Sequence, residues 1–221
     1  MNNTYVTGFK KAIPIMIGYT PLGIAFGAIA HAKGFNIFEI FLMSLTIFSG
    51  SGQFIAVGLL ASGVNLVNIL LTVFLVNSRY FLFAMSLTQK IVKLSWLQRL
   101  IAPQGITDET YLTTILHDDE VTAKLWFSIS IFSHVAWITA SVVGGLIGEN
   151  LGPAKDLGLD FALHAMFIAL TILVVKSRKD VLIGLIAAGT SLLLFIFGYQ
   201  QIYIIVATFI AASFGMVIKN G

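Results

Sequence analysis

Cysteine is absent from the 221 residues of this chain, which excludes disulfides, thiolate nucleophiles and cysteine-ligated metals. Charge is scarce as well, since only 10% of the residues are Asp, Glu, Lys or Arg, against about 25% in a typical soluble domain. The sequence also lacks the HExxH, GxSxG and Walker-type motifs of metalloproteases, serine hydrolases and nucleotide-driven proteins. We therefore expect neither an enzyme nor a bound cofactor.

The scarcity of charge leaves long uncharged stretches. The chain is 57% apolar, its mean hydropathy is +0.94, and uncharged windows cover residues 12–32, 40–78, 125–148, 161–175 and 181–218. About 20 apolar residues let a helix cross a bilayer, whereas a β-barrel would show alternating polarity. These windows predict an all-α polytopic membrane protein, a single transmembrane domain over residues 1–221 surrounded by lipid. The net charge of +3 lies between the apolar segments and does not indicate a nucleic-acid partner.

About seven membrane segments are predicted, at residues 12–32, 37–61, 66–88, 125–147, 158–175, 181–197 and 201–218. The first contains Pro14 and Pro21, and a glycine-rich stretch interrupts the second, so we expect broken or re-entrant helices in the first half of the chain. The stretch from Thr107 to Glu120 is acidic and poorly apolar. It predicts a helix that does not span, or a re-entrant piece.

Lysine and arginine orient the chain, because they favour the cytoplasmic side. Two basic connectors are predicted to be cytoplasmic, one with Lys90, Lys93 and Arg99 and the other with Lys176, Arg178 and Lys179. The C-terminus is then cytoplasmic too. Lys10 and Lys11 favour a cytoplasmic N-terminus, yet three full spans would carry Lys90 to the outside. Either the N-terminus is external or one early segment, most simply the second, does not cross.

The interruption of the second segment is the first candidate site. Ser49, Gly50, Ser51, Gly52 and Gln53 lie in the middle of an apolar run. Backbone freed at membrane depth is tolerated inside protein or beside a watery cavity, where transporters hold substrate. The freed backbone groups and the Gln53 amide would bind the ammonium and carboxylate of an amino acid. The alternative is that small residues let two helices pack closely.

A second candidate lies in the third segment, where Asn77, Arg79 and Tyr80 follow a long apolar stretch. An arginine inside an apolar segment is costly and is functional or paired by default. A substrate carboxylate is a suitable partner for its guanidinium. The alternative is that Arg79 reaches the lipid headgroups from near the end of its span.

In the first segment, Pro14, Tyr19, Pro21 and Gly23 could form a second helix break with a gating role, although proline kinks in membrane helices are often only structural. Gly23 and Gly27 also form a pair of small residues suited to close helix contact.

Three further groups of ionisable residues each have a structural and a chemical interpretation. Asp108 and Glu109 would cap a helix N-terminus or titrate in a proton-coupled cycle. The run from His117 to Glu120 lacks metal-ligand spacing and indicates a solvated loop, so no metal site is predicted. His134 and His164 would relay protons or simply bond to a neighbouring helix.

These residues resemble the motifs of the AzlC family, the large subunit of bacterial branched-chain amino acid exporters. The resemblance rests on Pro14-x6-Pro21-x-Gly23-x3-Gly27, on Ser44 with Ser49 to Phe54, on Asn77 to Tyr80, and on Thr107 to Glu109. The chain departs from the family pattern at Ser49 and Ser51, where alanine is usual, and at Tyr80, where histidine is frequent. These departures bear on substrate preference.

The resemblance implies a secondary transporter subunit that exports leucine, isoleucine, valine and analogues across the bacterial inner membrane. It also implies coupling to the proton-motive force and a small AzlD-like membrane subunit as partner. In this reading the break and Gln53 bind the amino acid backbone, and Arg79 pairs with the substrate carboxylate or with a gating acid. Phe48 and Phe54 would meet the aliphatic side chain. The alternatives are a non-transporting assembly or scaffold subunit, and a channel for small solutes.

Overall fold

The structure is a computed structural model that describes residues 4–92, 94–116, 121–148, 177–198 and 203–220, together with 168, 171, 172 and 175. The helices in these ranges are α1 (Thr4–Ala32), α2 (Ile37–Thr46), α3 (Gly50–Ala61), α4 (Leu66–Asn77), α5 (Arg79–Leu87), α6 (Trp96–Ile101), a 3-10 turn (Ala102–Gly105), α7 (Asp108–Ile115), α8 (Ala123–Gly148), α9 (Arg178–Ile196) and α10 (Tyr203–Asn220). Two short strands, β1 (Ile91–Val92) and β2 (Val121–Thr122), pair in parallel. The chain divides into two units, residues 1–163 and 164–221.

Four helical stretches of the described residues are long and apolar enough to cross a membrane, namely α1, α4 with α5, α8 and α9. The helical, membrane-embedded class is therefore confirmed, although the number of seven segments is not. Helices lie at six of the seven predicted segments; most of the remaining one, residues 158–175, is outside the described residues, although 168, 171 and 172 are helical. The second segment is divided into α2, with 10 residues, and α3, with 12 residues. At about 1.5 Å per residue each is far shorter than a hydrocarbon core of about 30 Å.

Helices α1 and α8 form the centre of the first unit and run parallel to each other. Gly8 lies against Ser128 near the start of both helices, and Gly27 lies against Gly144 near their ends. The small residues bring the two backbones into direct contact, as is typical of helix pairs in membranes. The predicted close contact at Gly27 is therefore present.

Helix α1 continues without interruption through Pro14 and Pro21, which corrects the expectation of a second helix break. Each proline removes one helical hydrogen bond and crowds the preceding turn, but the long contact with α8 supports the helix on both sides of it. The hydroxyl of Thr20 also donates to the carbonyl of Met16, 2.8 Å away. Both prolines are exposed, whereas Tyr19 and Gly23 are buried.

The chain reverses direction between α2 and α3. Ile40 packs beside Gly145, near the end of α8, whereas the carbonyl of Ser44 is bonded to His134, about three turns earlier. From there the chain returns, because Phe54 of α3 lies against Phe26, in the last third of α1. Helix α2 is therefore antiparallel to α1 and α8, and α3 is parallel to them. Residues 47–49 form the tip of this α2–α3 hairpin.

A second reversal approaches the same level from the opposite direction. Ile106 packs in one cluster with Trp126, early in α8, and Gly105 lies beside Ser130. Helix α7 then leads away again, since the carbonyl of Ile115 accepts a hydrogen bond from Lys90 beside strand β1, at 3.0 Å. The tip of this second reversal is the start of α7.

The second unit, as far as it is described, contains α9 and α10. They pack antiparallel, because Phe195 meets Tyr203 edge to face at 5.8 Å near the connection and Ile183 lies against Gly215 farther along. Gly198 in the intervening turn has a φ of +87°, a conformation that favours glycine.

Candidate functional site

The two tips meet at the start of α3, where Ser49 organises the contacts. Its hydroxyl accepts a hydrogen bond from the amide of Gly52 at 3.2 Å and so caps α3. The same hydroxyl donates to Asn77 Oδ1 at 2.7 Å and accepts from the Tyr80 hydroxyl at 3.3 Å. A polar N-cap is favoured wherever helix amides lack partners. Here the cap also fixes the end of α4 and the start of α5 against the break.

Arg79 bridges the two tips. One of its Nη atoms donates to Ser51 Oγ at 2.8 Å and lies 3.0 Å from Asp108 Oδ2. The guanidinium carbon is also 5.2 Å from the centre of the Tyr80 ring, within the range of a cation–π contact. Because the side chain turns inward to an acid, the headgroup alternative for Arg79 is not what the structure shows.

The adjacent acids of α7 point to different partners. Asp108 pairs with Arg79, whereas Glu109 Oε2 lies 2.6 Å from the hydroxyl of Tyr19 on α1. The same hydroxyl is 2.7 Å from Thr107 Oγ1, and Thr107 is the N-cap of α7. The two acids therefore both occupy the first turn of a helix, as a capping role requires, and contact two other helices.

Both carboxyls have perturbed acidities, and α7 lies outside the four candidate spans. Burial raises the pKa of Asp108, and the Arg79 guanidinium opposes this by lowering it. Burial also raises the pKa of Glu109; the hydrogen bond from Tyr19 lowers it and the charge of Asp108 raises it. The net change in pKa is upward for both carboxyls. The penalty that burial places on the charged form is larger than the stabilisation that the partners give it.

Gln53 is fully buried and joins α3 to α8 and α2. Its Oε1 accepts a hydrogen bond from Trp137 Nε1 at 2.7 Å, and its Nε2 donates to Ser44 Oγ at 3.3 Å. The amide that we expected to contact substrate thus bonds to protein on both sides in this state. Gly50 packs against the Trp137 ring, where an added Cβ would lie 3.1 Å from a ring carbon.

The last turn of α2 is closed by two side chains from elsewhere in the chain. His134 Nε2 donates to the carbonyl of Ser44 at 2.8 Å, and Gln104 Nε2 donates to the carbonyl of Thr46 at 2.9 Å. The His134 ring also stacks on Phe48, with 4.2 Å between centroids. Carbonyls freed by the helix break are therefore satisfied by protein.

Aromatic side chains form the apolar wall of the site. Tyr19 meets Phe48 and Trp137 edge to face, at 5.9 and 5.4 Å between centroids. Phe54 packs on Phe26 at 5.4 Å, deeper along α1. Phe48 therefore contacts the same Tyr19 side chain whose hydroxyl is bonded to Glu109 on α7.

The structure brings most of the predicted residues together, in a cluster made of Tyr19, Ser49, Ser51, Gly52, Gln53, Asn77, Arg79, Tyr80, Asp108 and Glu109. An added Cβ at Gly52 would come within 2.9 Å of both Asn77 and Ser49. Pro14 and Pro21 lie on the exposed face of α1, and Gly23 packs against Ala140; these three do not join the cluster.

Sequence reasoning missed Thr107, Gln104 and Trp137 as parts of the site. The signal for Trp137 was present, because an indole N–H inside an apolar helix needs a hydrogen-bond partner. His134 follows the simpler expectation of a histidine bonded to a neighbouring helix. Within the described residues no group of three metal-binding side chains occurs; the run from His117 to Glu120 and His164 lie outside them.

Comparison with known proteins finds one matching family model and several similar membrane proteins. A family model described as "AzlC protein" matches residues 14–151. An uncharacterized membrane protein of Helicobacter pylori is 31% identical over 201 residues, covering 86% of this chain and 87% of its own. The branched-chain amino acid transport protein AzlC of Bacillus subtilis is 30% identical (86% and 76% covered), and the inner membrane protein YgaZ of Escherichia coli is 28% identical (85% and 82%). No solved structure matches significantly.

Proposed function

Since this chain belongs to the AzlC family, we propose that it is a secondary-transporter subunit that exports branched-chain amino acids across the bacterial inner membrane. The relative in Bacillus subtilis is named a branched-chain amino acid transport protein, which supports amino acid transport as the activity. Proton coupling and a small AzlD-like partner subunit belong to the same proposal.

One observation carries the proposal, namely the position of Arg79 where the starts of α3 and α7 meet. A helix N-terminus carries a partial positive charge of roughly half an elementary charge. Two such ends and a guanidinium therefore surround Ser51 and Asp108, and favour a carboxylate at this place. The substrate carboxylate binds to Arg79 and Ser51, and its aliphatic side chain lies toward Phe48.

The two reversals support a membrane topology in which the basic loops no longer conflict. Helix α1 spans, the α2–α3 hairpin enters and leaves on the far side, and α4 with α5 spans back. Lys10, Lys11 and Lys90 then share one side, which the preference of basic residues makes cytoplasmic. Residues 94–115 enter from that cytoplasmic side, so the two tips meet inside the membrane.

Accessibility of introduced cysteines tests this topology, because the chain has none of its own. In intact spheroplasts we expect an impermeant maleimide to label Lys33→Cys and Ser62→Cys, which flank the α2–α3 hairpin, and to leave Lys11→Cys unlabelled until the membrane is permeabilised. A second segment that crosses the membrane would place Ser62 on the same side as Lys11. Protection of Ser62→Cys alongside labelling of Lys33→Cys would therefore refute the hairpin.

Efflux from cells loaded with labelled leucine tests the site. We expect Arg79→Ala to abolish efflux at normal protein levels, because both the carboxylate partner and the bridge between the tips are lost. Arg99→Ala is the matched control, since the exposed Arg99 contacts the carbonyl of Leu94 and lies in a different part of the chain. Equal efflux in the two variants would refute the site.

Reconstitution separates transport by this chain from a scaffold role or a channel. We expect liposomes containing the chain and its partner subunit to show saturable leucine flux with counterflow, and liposomes containing the partner alone to show none. Flux through the partner alone would assign the pathway to the partner, and flux that does not saturate would indicate a channel.

A further inference from the structure

We infer that the ion pair of Arg79 and Asp108 is the binding pair for the amino acid zwitterion, so that a proton and the substrate ammonium compete for Asp108. This inference rests on the proposed function and adds the sign of its coupling. A transporter in which proton and substrate exclude each other exchanges them in opposite directions, as export against an inward proton gradient requires.

The geometry of the pair suits a zwitterion. Arg79 and Asp108 are 3.0 Å apart and retain 25% and 17% of their side-chain exposure, so both can be reached. An inserted amino acid places its carboxylate on Arg79 and its ammonium on Asp108. Each charge then exchanges one opposite partner for another, and no charge is left buried and unpaired, which would be strongly unfavourable.

The carboxylate half of this subsite is already shaped by protein. Arg79 donates to Ser51 Oγ at 2.8 Å, and Ser51 is in the first turn of α3, where helix amides favour an anion. In its ionised form Asp108 supplies the resident anion while no substrate is bound. The substrate carboxylate takes its place on the guanidinium, and the Asp108 carboxylate becomes available to the ammonium.

Glu109 is held differently and is assigned a structural role. Its carboxylate is fixed by the hydroxyl of Tyr19 at 2.6 Å, and that hydroxyl also contacts Thr107. No cation is placed beside it in the described part of the site, so a substrate carboxylate would have no partner there. Asp108 is therefore the acid that we assign to the substrate ammonium, because it is the one paired with Arg79.

The groups that face Asp108 determine when it takes a proton. They are Arg79 and Tyr80 on α5, Glu109 on its own helix and, through Glu109, Tyr19 on α1. Burial raises the pKa of Asp108 above that of a free aspartate, which brings its protonation closer to physiological pH. In molecules whose Asp108 is protonated, the ammonium can bind the carboxylate only after that proton leaves, so substrate binding releases the proton and, by linkage, a proton weakens substrate binding.

The opposite linkage is physically possible and would give a different transporter. If the substrate carboxylate took Arg79 while its ammonium bound elsewhere, Asp108 would lose its cationic partner and take up a proton. Proton and amino acid would then bind together and move in the same direction. The sign of the proton exchange on binding distinguishes the two arrangements.

Calorimetric titration of the purified chain, together with its partner subunit, with leucine measures this sign when it is repeated in buffers of different ionisation enthalpy. We expect the wild type to release up to about one proton per leucine, and its Kd for leucine to rise by up to about tenfold for each pH unit below the pKa of Asp108. Asp108→Asn removes the exchangeable proton, so we expect it to show neither effect.

Two further variants keep the result interpretable. Glu109→Gln is expected to retain proton release, and Glu39→Gln, at the exposed start of α2, is the matched control for loss of an acid. Proton uptake by the wild type, a Kd that falls with falling pH, or release that persists in Asp108→Asn each overturns the inference while leaving amino acid binding intact. Absence of any leucine binding to the wild type overturns the proposed function itself.

Discussion

A methyl group at Gly27 tests the central helix pair most directly. A Cβ at this position would contact the carbonyl oxygen of Ser141 and lie 2.5 Å from the amide nitrogen of Gly145 and 2.9 Å from the carbonyl carbon of Gly144. All three contacts are with backbone, which cannot rotate away as a side chain can. Gly27→Ala therefore forces α1 and α8 apart or bends one of them.

The expected cost follows from two opposing effects. Overpacking a tight contact costs about 1–3 kcal/mol, and the backbone contacts place Gly27 toward the upper end of that range. Alanine recovers up to about 1 kcal/mol as a better helix former. Since a change of 1 kcal/mol shifts the melting temperature of a chain this long by about 2–4 °C, we expect Gly27→Ala to melt several degrees below the wild type.

Gly18→Ala is the matched control, because Gly18 lies on the same helix and an added Cβ there meets nothing within 4 Å. It is expected to be as stable as the wild type or slightly more so. The assay is the fraction of detergent-solubilised protein that remains monodisperse on size-exclusion chromatography after heating. Equal melting temperatures for the two variants would show that α1 and α8 do not meet backbone to backbone, and would refute the fold.

Three other changes probe the site. Trp137→Phe leaves the buried Gln53 Oε1 without its donor, and should cost about 1–3 kcal/mol in the same heating assay; an unchanged melting temperature would contradict that bond. Ser49→Ala removes the side-chain cap of α3 and should cost about 0.5–2 kcal/mol in the same assay; an unchanged melting temperature would contradict the cap. The pKa of Glu109 is raised in the folded protein, so the folded state holds this proton more tightly than the unfolded state does. The contribution of Glu109 to stability therefore falls as the pH rises from the pKa of the unfolded residue to that of the folded one. Tyr19→Phe removes the hydrogen bond that opposes this rise, so the stability of the variant should fall more steeply than that of the wild type as the pH rises above the ordinary pKa of a glutamate; parallel curves would contradict the contact.

The helical class and the break in the second segment follow from local chemistry and were predictable. Uncharged stretches of this length have no alternative to helix in lipid, and a serine followed by glycines inside such a stretch provides a cap and a new helix start. The direction of the chain after the break was not predictable. It depends on contacts of Phe54 with Phe26 and of Ser44 with His134, which join residues far apart in the sequence.

In α1 the local signal gave a wrong prediction, because the prolines do not interrupt the helix. A proline disfavours the helix interior by removing one hydrogen bond and crowding the preceding turn. Glycines at 8, 23 and 27 offset this, because they let α1 lie against α8 along its length. The uninterrupted helix therefore coincides with close packing against α8, where the prolines alone favoured a kink or a break.

The three residues Thr107, Asp108 and Glu109 mark the limit of local reasoning. Their order predicts a helix start, which is confirmed, and a capping role alone would leave the two acids equivalent. Successive residues of a helix point about 100° apart, so only one of them can face α5 while the other faces α1. Asp108 pairs with Arg79, whereas Glu109 bonds to Tyr19. By our inference the first acid is therefore the one that substrate reaches, and the second holds the tip in place. If that division is correct, exchanging Asp108 and Glu109 should abolish transport although the composition and charge of the site remain the same.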